Sequence, residues 1–326
     1  MSDPPDAGSE PTQFASEKSP GLTAPDQRDP QRLVRHRDFR RLWAAQTLSM
    51  LGSQITALAI PLLAVVTLEA SAFDMGVLAL AASLPAPLFG LLAGVWTDRV
   101  RRRAILIGAD IGRAVLLGTV PLAVFLDLLT IPYLGAVVAV VAFFGIWFDV
   151  AHASLLPSLI RPEQLVEGNS KLEISRSGAM IAGPGLAGLL IQAISAPAAI
   201  LIDACSYLVS AVLLVRIRTE EVLPDRARSK TPVWKEAREG LSAVFQDRRL
   251  TSMALSLSVF NLFSNMLNAL FVLYAVQELG IEAAALGLIF AVGSAGFLVG
   301  AAAAGWVARR IGVGRAIIYG AVISDL

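Results

Sequence analysis

The chain has 326 residues, of which 55% are hydrophobic and 16% are charged, and its net charge is +1. Soluble domains are usually about 45–50% apolar and about 25% charged, so this composition excludes an ordinary soluble protein. One cysteine and two histidines exclude a disulfide framework and leave little material for a metal centre or a histidine-based active site. We therefore predict that the protein is not an enzyme and holds no metal ion.

Residues 1–31 contain six prolines, several acids and few aliphatic side chains, a composition typical of a disordered tail. This tail is not a signal peptide, because no apolar segment of the required length follows a basic start. The next segment carries a cluster of arginines at Arg32, Arg35, Arg37, Arg40 and Arg41. Because an apolar segment follows directly, we interpret the cluster as a flank that orients a membrane span and not as a nucleic-acid site.

Continuous apolar segments of roughly 20 residues recur along the rest of the chain, and each is long enough to cross a bilayer as an α-helix. They predict an all-α polytopic membrane protein. The predicted spans 1 to 8 cover residues 42–69, 73–97, 104–126, 131–157, 172–194, 197–217, 250–276 and 282–308, and a ninth starts near Ala316.

The turns between these spans differ in charge on the two sides of the predicted membrane. Those at 70–74, 127–132, 195–196 and 277–282 contain no lysine or arginine. The turns on the other side hold nearly all the basic residues, including the run after Arg99 and the segment from Arg216 to Arg249. Since basic loops stay in the cytoplasm, we predict a multi-pass protein of the plasma (bacterial inner) membrane with a cytoplasmic N-terminus.

The charged segment between spans 6 and 7 divides the chain into two related parts. Within it, Trp234, Ala237, Leu241 and Val244 share one helix face, which predicts an amphipathic helix on the inner leaflet. An internal repeat is indicated by short motifs that recur in the same order about 210 residues later, namely RRL at 40–42, AG at 93–94 and RAI at 103–105. The predicted organisation is a tail at 1–31, a six-helix half at 32–217, a cytoplasmic linker at 218–249 and a partial second half at 250–326.

Two short motifs resemble those of a known family. The turn GVWTDRVRRR after span 2 is similar to Gly-x-x-x-Asp-Arg-x-Gly-Arg-Arg, with matches at Gly94, Asp98, Arg99, Arg102 and Arg103 and with Arg101 in place of the glycine. Span 5 carries GPGLAG, at Gly183, Pro184, Gly185 and Gly188, which is similar to the Gly-Pro-x-x-Gly-Gly motif of antiporters, with Ala187 in place of the first of the paired glycines. On these residues the chain resembles the major facilitator superfamily, in its drug-efflux branch of macrolide exporters and enterobactin-type siderophore exporters.

The resemblance implies a fold of two six-span halves that rock against each other. It also implies that the turn after span 2 latches the halves in the outward-facing state, with its partner on an eleventh span. The chain supplies about 8–9 of the twelve spans, because its ninth would have only about twelve residues and reach about 18 Å into roughly 30 Å of hydrocarbon. We expect a truncated reading frame or a fragment; the alternative is a genuine eight-span protein.

Four charged residues lie deepest inside the predicted spans, away from the span ends, where an unpaired charge is expensive. They are Asp110, Arg113, Asp149 and Asp203. Asp110 shares a face of span 3 with Arg113, and Asp149 lies at a similar depth, so that either acid can pair with Arg113. Asp149 belongs either to a proton- or conformation-linked relay or to a structural ion pair, and Asp203 is a further candidate for the coupling path.

Polar residues recur at helical spacing on two spans that the repeat relates to each other. They are Gln46, Ser49, Ser53 and Thr56 on span 1, and Ser258, Asn261, Asn265 and Asn268 on span 7. Lining a water-filled cavity satisfies such groups, whereas lipid does not. Hydrogen bonding between helices is the alternative. Because these two stripes are uncharged, they favour an uncharged or amphipathic substrate.

Together these features predict proton-coupled efflux of a small amphipathic compound, a drug or a siderophore-like metabolite, by alternating access. The proton gradient is the expected energy source and no cofactor is expected, because no Gly-x-x-x-x-Gly-Lys-Ser/Thr loop occurs. The expected partners are the lipid bilayer and a small-molecule substrate, for a monomer that binds no nucleic acid. A nutrient or sugar symporter of the same fold and a non-transporting membrane remnant are the alternatives.

Overall fold

The computed structural model describes residues 33, 36–97, 99–219, 233–312 and 314–315. The predicted tail at 1–31, Asp98, residues 220–232 of the predicted linker and the predicted ninth span from Ala316 lie outside the described residues. Eight helices in the described part are long and apolar enough to cross a membrane, and no strand occurs among these residues. The prediction of an all-α polytopic protein is confirmed.

Each of the eight predicted spans corresponds to helical structure. The helices are Arg37–Thr67 (span 1), Ala72–Ser83 and Pro85–Thr97 (span 2), Arg102–Phe125 (span 3), Ile131–Leu159 (span 4), Leu165–Ile194 (span 5), Ala196–Val215 (span 6), Arg248–Gln277 (span 7) and Ala283–Ile311 (span 8). Spans 1 and 5 begin earlier than predicted, because a helix keeps its backbone hydrogen bonds where it leaves the hydrocarbon layer. Span 2 is divided at Leu84, since the following Pro85 has no backbone N–H to donate.

Short polar side chains begin several of these helices. Ser71 caps span 2, Thr130 caps span 4 and Asp247 caps span 7, and each side chain accepts a hydrogen bond from a backbone N–H of the first turn. Such caps satisfy donors that have no partner inside the helix. The starts of these three spans are therefore encoded locally.

The two ends of the bundle differ in how the halves meet. We call the face with the turns after spans 2, 4 and 6 the basic face, and the opposite face the acidic face. At the acidic face one apolar cluster joins both halves, with Leu63, Met75 and Ile191 from the first and Val272 and Leu286 from the second. The cluster at the basic face contains, among the described residues, only side chains of the first half and its flanks. The halves thus pack against each other mainly at the acidic face.

A separate helix, Val233–Gln246, lies in the predicted linker where the amphipathic pattern places one. It packs against the second helix of span 2 and against span 7. Trp234, Leu241 and Phe245 are exposed on it. Exposed aromatic and aliphatic side chains beside a spanning bundle are what a helix at the membrane surface presents to lipid.

Spans 5 and 8 cross in close backbone contact. A Cβ atom on Gly188 would collide with the carbonyl oxygen of Ala283 and with the Cα atom of Gly287. A Cβ atom on Gly287 would collide in turn with the carbonyl oxygen of Pro184. Glycines at such a crossing let two helices approach closely in a membrane, where tight packing holds helices together. The antiporter-like motif on span 5 therefore contributes directly to the contact between the halves.

We predict that Gly188→Ala destabilises the protein, because the added methyl group meets backbone atoms that cannot move aside. Overpacking of this kind costs about 1–3 kcal/mol. Gly185→Ala is the matched control, since its Cβ would lie at an ordinary 3.6 Å from the Cβ of Ala291. Thermal unfolding of both variants in detergent should show a lower Tm for Gly188→Ala only. Equal Tm values for the two variants would contradict the close backbone contact between spans 5 and 8.

Candidate functional site

A cavity of about 660 Å³ lies between the two halves. Residues from all eight spans line it, and most of them are apolar. The polar residues of its wall are Ser53, Gln54, Thr56, Arg113, Asp149, Tyr207, Asn265, Asn268 and Ser294. Arg113 and Asp149 are the charged residues of this wall among the part of the chain that the structure describes. Pockets for small molecules have this volume range and this mixture of apolar wall and few polar groups.

Arg113 pairs with Asp110 on its own helix. Its Nη2 atom lies 2.5 Å from Oδ1 of Asp110, and the hydroxyl of Ser210 on span 6 donates to Oδ2 of Asp110 at 2.6 Å. Asp110 is fully buried and Arg113 is 6% exposed. Of the two partners that the sequence allows for Arg113, Asp110 forms the ion pair, and Ser210 ties this pair to span 6.

Two aromatic rings enclose the guanidinium of Arg113. Its Cζ atom lies 4.5 Å from the ring centre of Phe148 on span 4 and 4.3 Å from that of Tyr207 on span 6. A cation over aromatic faces is stabilised by the ring quadrupoles, most strongly where water is excluded. The position of the arginine is therefore set by residues of spans 3, 4 and 6.

Asp149 is exposed, unlike Asp110, and lies on the cavity wall. Arg113 and Arg176 of span 5 are the cations whose charges act on it. Since Arg113 is already engaged by Asp110, the Asp149 carboxylate remains open to whatever occupies the cavity.

Asp203 is fully buried between spans 1 and 6. It accepts hydrogen bonds from the hydroxyls of Thr56 and Ser206, the latter at 3.1 Å. Gly52 faces it without a side chain, and a Cβ atom there would collide with the Asp203 carboxylate. The Tyr207 hydroxyl lies 2.7 Å from the hydroxyl of Ser53. Asp203 is thus held in a helix contact next to the cavity wall, and not on the wall itself.

These contacts reveal a polar stripe on span 6 that the sequence analysis did not include. Asp203, Ser206, Tyr207 and Ser210 follow one another along a single helix face. The spacing criterion that found the stripes on spans 1 and 7 also fits these four residues. They were missed because aromatic and small hydroxyl residues are common in apolar helices and give a weak signal beside one acid.

The predicted cavity residues fall into two groups. Ser53, Thr56, Asn265 and Asn268 lie on the cavity wall. Gln46, Ser49 and Asn261 lie outside this wall: Gln46 and Ser49 are buried, and the Asn261 side chain donates to the carbonyl oxygen of Leu257 on its own helix. The physical reason is that the cavity meets only part of each helix, so the remaining residues of a stripe contact neighbouring helices or their own backbone.

The antiporter-like motif lies beside the same cavity. Pro184 is part of the wall, and Gly183 faces the side chain of Gln54, which a Cβ atom would displace. Gly185 and Gly188 face span 8. The motif thus connects the cavity wall to the crossing of spans 5 and 8.

The arginines after span 2 lie at the basic face, and Asp98 lies outside the described residues. Arg103 donates from Nε to the carbonyl oxygen of Leu214 at 2.9 Å and from Nη2 to that of Val215. Cations at this position bind the last carbonyl groups of a helix and complement its dipole. Arg103 thus binds the end of span 6 in its own half. Gly94, at the start of the same motif, has open space where a Cβ atom would lie.

Asp38 is the second group that holds the end of span 6. Its carboxylate accepts from the backbone N–H groups of Arg218 and Thr219 at 3.0 and 2.9 Å and from the Thr219 hydroxyl at 2.7 Å. Arg41 binds Asp38 at 2.8 Å and also donates to the carbonyl oxygen of Arg216. The sequence signal that points to this clamp is one acid within an arginine-rich flank, since topology requires no acid there.

Comparison with known proteins identifies the family. The sequence model of the Major Facilitator Superfamily matches residues 42–324. The chain belongs to the major facilitator superfamily. It is therefore a membrane protein of a transporter family and not of an enzyme family, and the two half-bundles around a central cavity are those of the major facilitator fold.

Several relatives in this superfamily are similar to the chain at low identity. The uncharacterised transporter YfiS of Bacillus subtilis is 31% identical over 61% of this chain and 47% of its own length. Macrolide efflux protein A of Streptococcus pyogenes is 27% identical over 73% of the chain and 59% of its own length. The multidrug efflux pump Tap of Mycolicibacterium fortuitum is 29% identical over 80% of the chain and 64% of its own length. The chain therefore spans less than two thirds of the length of these relatives.

We predict that Asp110→Ala strongly destabilises the protein, because it leaves Arg113 buried without its counter-ion. Breaking a buried pair from one side costs about 3–5 kcal/mol. Asp149→Ala, at an exposed acid, should lower the Tm in detergent far less. Replacing both partners, as in Asp110→Leu with Arg113→Met, should recover much of the lost stability. An equal Tm for the two single variants would contradict the assigned pair.

We also predict that Asp38→Ala exposes the end of span 6 to trypsin, since the backbone N–H groups of Arg218 and Thr219 and the Thr219 hydroxyl lose their hydrogen bonds to the carboxylate. Cleavage after these arginines should become several times faster in the membrane-embedded protein. Asp247→Ala, which removes the cap of span 7, is the matched control. Unchanged cleavage in Asp38→Ala would argue against the clamp.

Proposed function

We propose that the chain carries the transport cavity of a proton-coupled exporter for small amphipathic compounds. The cavity between the halves is the observation that carries this proposal. Two relatives with long matches have names that describe efflux, one of macrolides and one of multiple drugs. Their names support export over uptake for this chain. During export, a substrate enters the cavity from one face of the membrane and leaves at the other.

The cavity wall suits a molecule with a large apolar surface and few polar groups. Leu58, Ile60, Leu78 and Val272 are among its apolar residues, and Asn265 and Asn268 supply amide groups. An amphipathic compound buries its apolar part against such a wall, while its polar groups bind the amides and hydroxyls.

Asp149 is the residue that we assign to coupling. A carboxylate that is open to the cavity binds either a proton or the cationic group of a substrate, and in this way the two compete for one site. Asp110 is committed to Arg113 and Asp203 to two hydroxyls. These two acids therefore position the arginine and span 6, and Asp149 exchanges the proton.

The orientation that we propose places the basic face in the cytoplasm of a cell with this protein in its plasma membrane. The halves pack together mainly at the acidic face. This arrangement corresponds to an inward-facing state, in which the cavity is closed toward the outside and loads its substrate from the cytoplasm.

We predict that Asp149→Asn lowers the rate of export driven by a pH gradient at least tenfold, while the protein still reaches the membrane. The amide keeps the size of the side chain but cannot take up and release a proton. Asp127→Asn, in the turn between spans 3 and 4, is the matched control. Efflux of radiolabelled erythromycin and of ethidium from membrane vesicles measures both. Unchanged export in Asp149→Asn would leave Asp149 as a packing residue.

A further inference from the structure

The N-terminus of span 8 takes its cap from the other half of the molecule. Glu282 occupies the N-cap position, but its own side chain makes no capping hydrogen bond. Gln192 near the end of span 5 accepts instead from the backbone N–H of Ala284 at 3.2 Å, and its Nε2 atom donates to Oε2 of Glu282 at 2.6 Å. One amide side chain thus satisfies a backbone donor and an acidic side chain at once.

This arrangement couples helix capping to the contact between the halves. The first N–H groups of a helix have no partner inside it, and a cap on the same segment would remain in place during any rigid-body motion. A cap that crosses from span 5 to span 8 is lost as soon as the two helices separate at this end. Because opening at the acidic face breaks this cap, the free energy of the capping hydrogen bonds stabilises the closed arrangement.

The neighbouring contacts show which motion would break it. Gly188 crosses Gly287 about one helical turn away, and Ile191 and Leu286 belong to the apolar cluster that joins the halves. Gln192 and Glu282 are both exposed and lie farther toward the end of the helices than this crossing. They are thus placed to separate first when the halves open around the crossing.

We propose that Gln192 and Glu282 form a gate clip, a pair that holds the acidic face closed and must separate in each transport cycle. The requirement for separation in each cycle rests on the proposed export function. The closed state held by the clip does not depend on any substrate. Gln192 is accordingly a positioning residue that acts through the end of span 8.

The experiment measures access to the cavity without transport. Cys205, which is exposed, is replaced by serine, and Ala82→Cys places a reporter at an exposed position on the cavity wall. A membrane-impermeant maleimide is then added to vesicles of either orientation, so that the labelling rate is measured from each face. Gln192→Ala should raise labelling from the acidic face about five- to tenfold, the effect expected for one lost cap. Labelling from the basic face should fall.

An exchange of the two side chains tests the pairing itself. Gln192→Glu alone places two carboxylates together and should also raise labelling from the acidic face. In Gln192→Glu combined with Glu282→Gln, the carboxylate at position 192 accepts from the N–H of Ala284, and the amide at position 282 donates to that carboxylate. Labelling should therefore return to within about twofold of the parent. Gln277→Ala, which changes an exposed glutamine at the same end of span 7, is the control and should have no effect.

Two results would overturn the clip. One is an unchanged rate in Gln192→Ala, and the other is a double exchange that labels as fast as Gln192→Glu alone. A parent chain that exports neither erythromycin nor ethidium but responds to Gln192→Ala as expected would count against the export proposal and leave the clip in place.

Discussion

The arginine buried in span 3 is the constraint on which the first half depends. A guanidinium in the interior of a membrane protein must keep a counter-ion and exclude lipid, because its unpaired charge is expensive there. Asp110 supplies the counter-ion, Ser210 fixes that carboxylate, and the rings of Phe148 and Tyr207 pack against the guanidinium of Arg113. These contacts require spans 3, 4 and 6 to pack in one arrangement. The arrangement also leaves Asp149 as the acid open to the cavity.

The ends of the helices are stabilised in a different way from their middles. Span 6 ends against Arg103 and Asp38, which lie on spans 3 and 1, and span 8 begins against Gln192 of span 5. In each case the polar groups that a helix leaves unsatisfied are bound by another span. The clamp at span 6 lies within one half, whereas the contact at span 8 joins the two halves.

The cavity between the halves follows from these two kinds of contact. Close packing at the acidic face, through the apolar cluster and the glycine crossing of spans 5 and 8, brings the second half against the first. The charged groups in the middle keep spans 3, 4 and 6 in register. What remains between the halves is a space with largely apolar walls, amide groups from spans 1 and 7 and the open carboxylate of Asp149.

Much of the fold was predictable from the sequence, because the bilayer imposes a length and a composition on each span and the basic residues order the turns. The site was predictable only in part. Asp110, Arg113 and Asp149 were recognised because charges stand out in apolar helices. Gln46, Ser49 and Asn261 were placed on the cavity wall by periodicity alone, which identifies a helix face but not the depth at which a cavity meets it. Tyr207 gave little signal and Asp38 only that of one acid among arginines, since the roles of both residues arise from partners more than 100 residues away in the chain.

The sequence by itself therefore determined the eight spans, the charge difference between the two faces and the presence of buried charges that need partners. Only the tertiary structure decided that Arg113 pairs with Asp110 and not with Asp149, because helical spacing allows the first pair and similar depth allows the second, and the choice depends on how spans 4 and 6 pack around the guanidinium. It likewise decided that Gln192 caps span 8. A capping bond between two helices depends on their relative position, which no local pattern in the chain records.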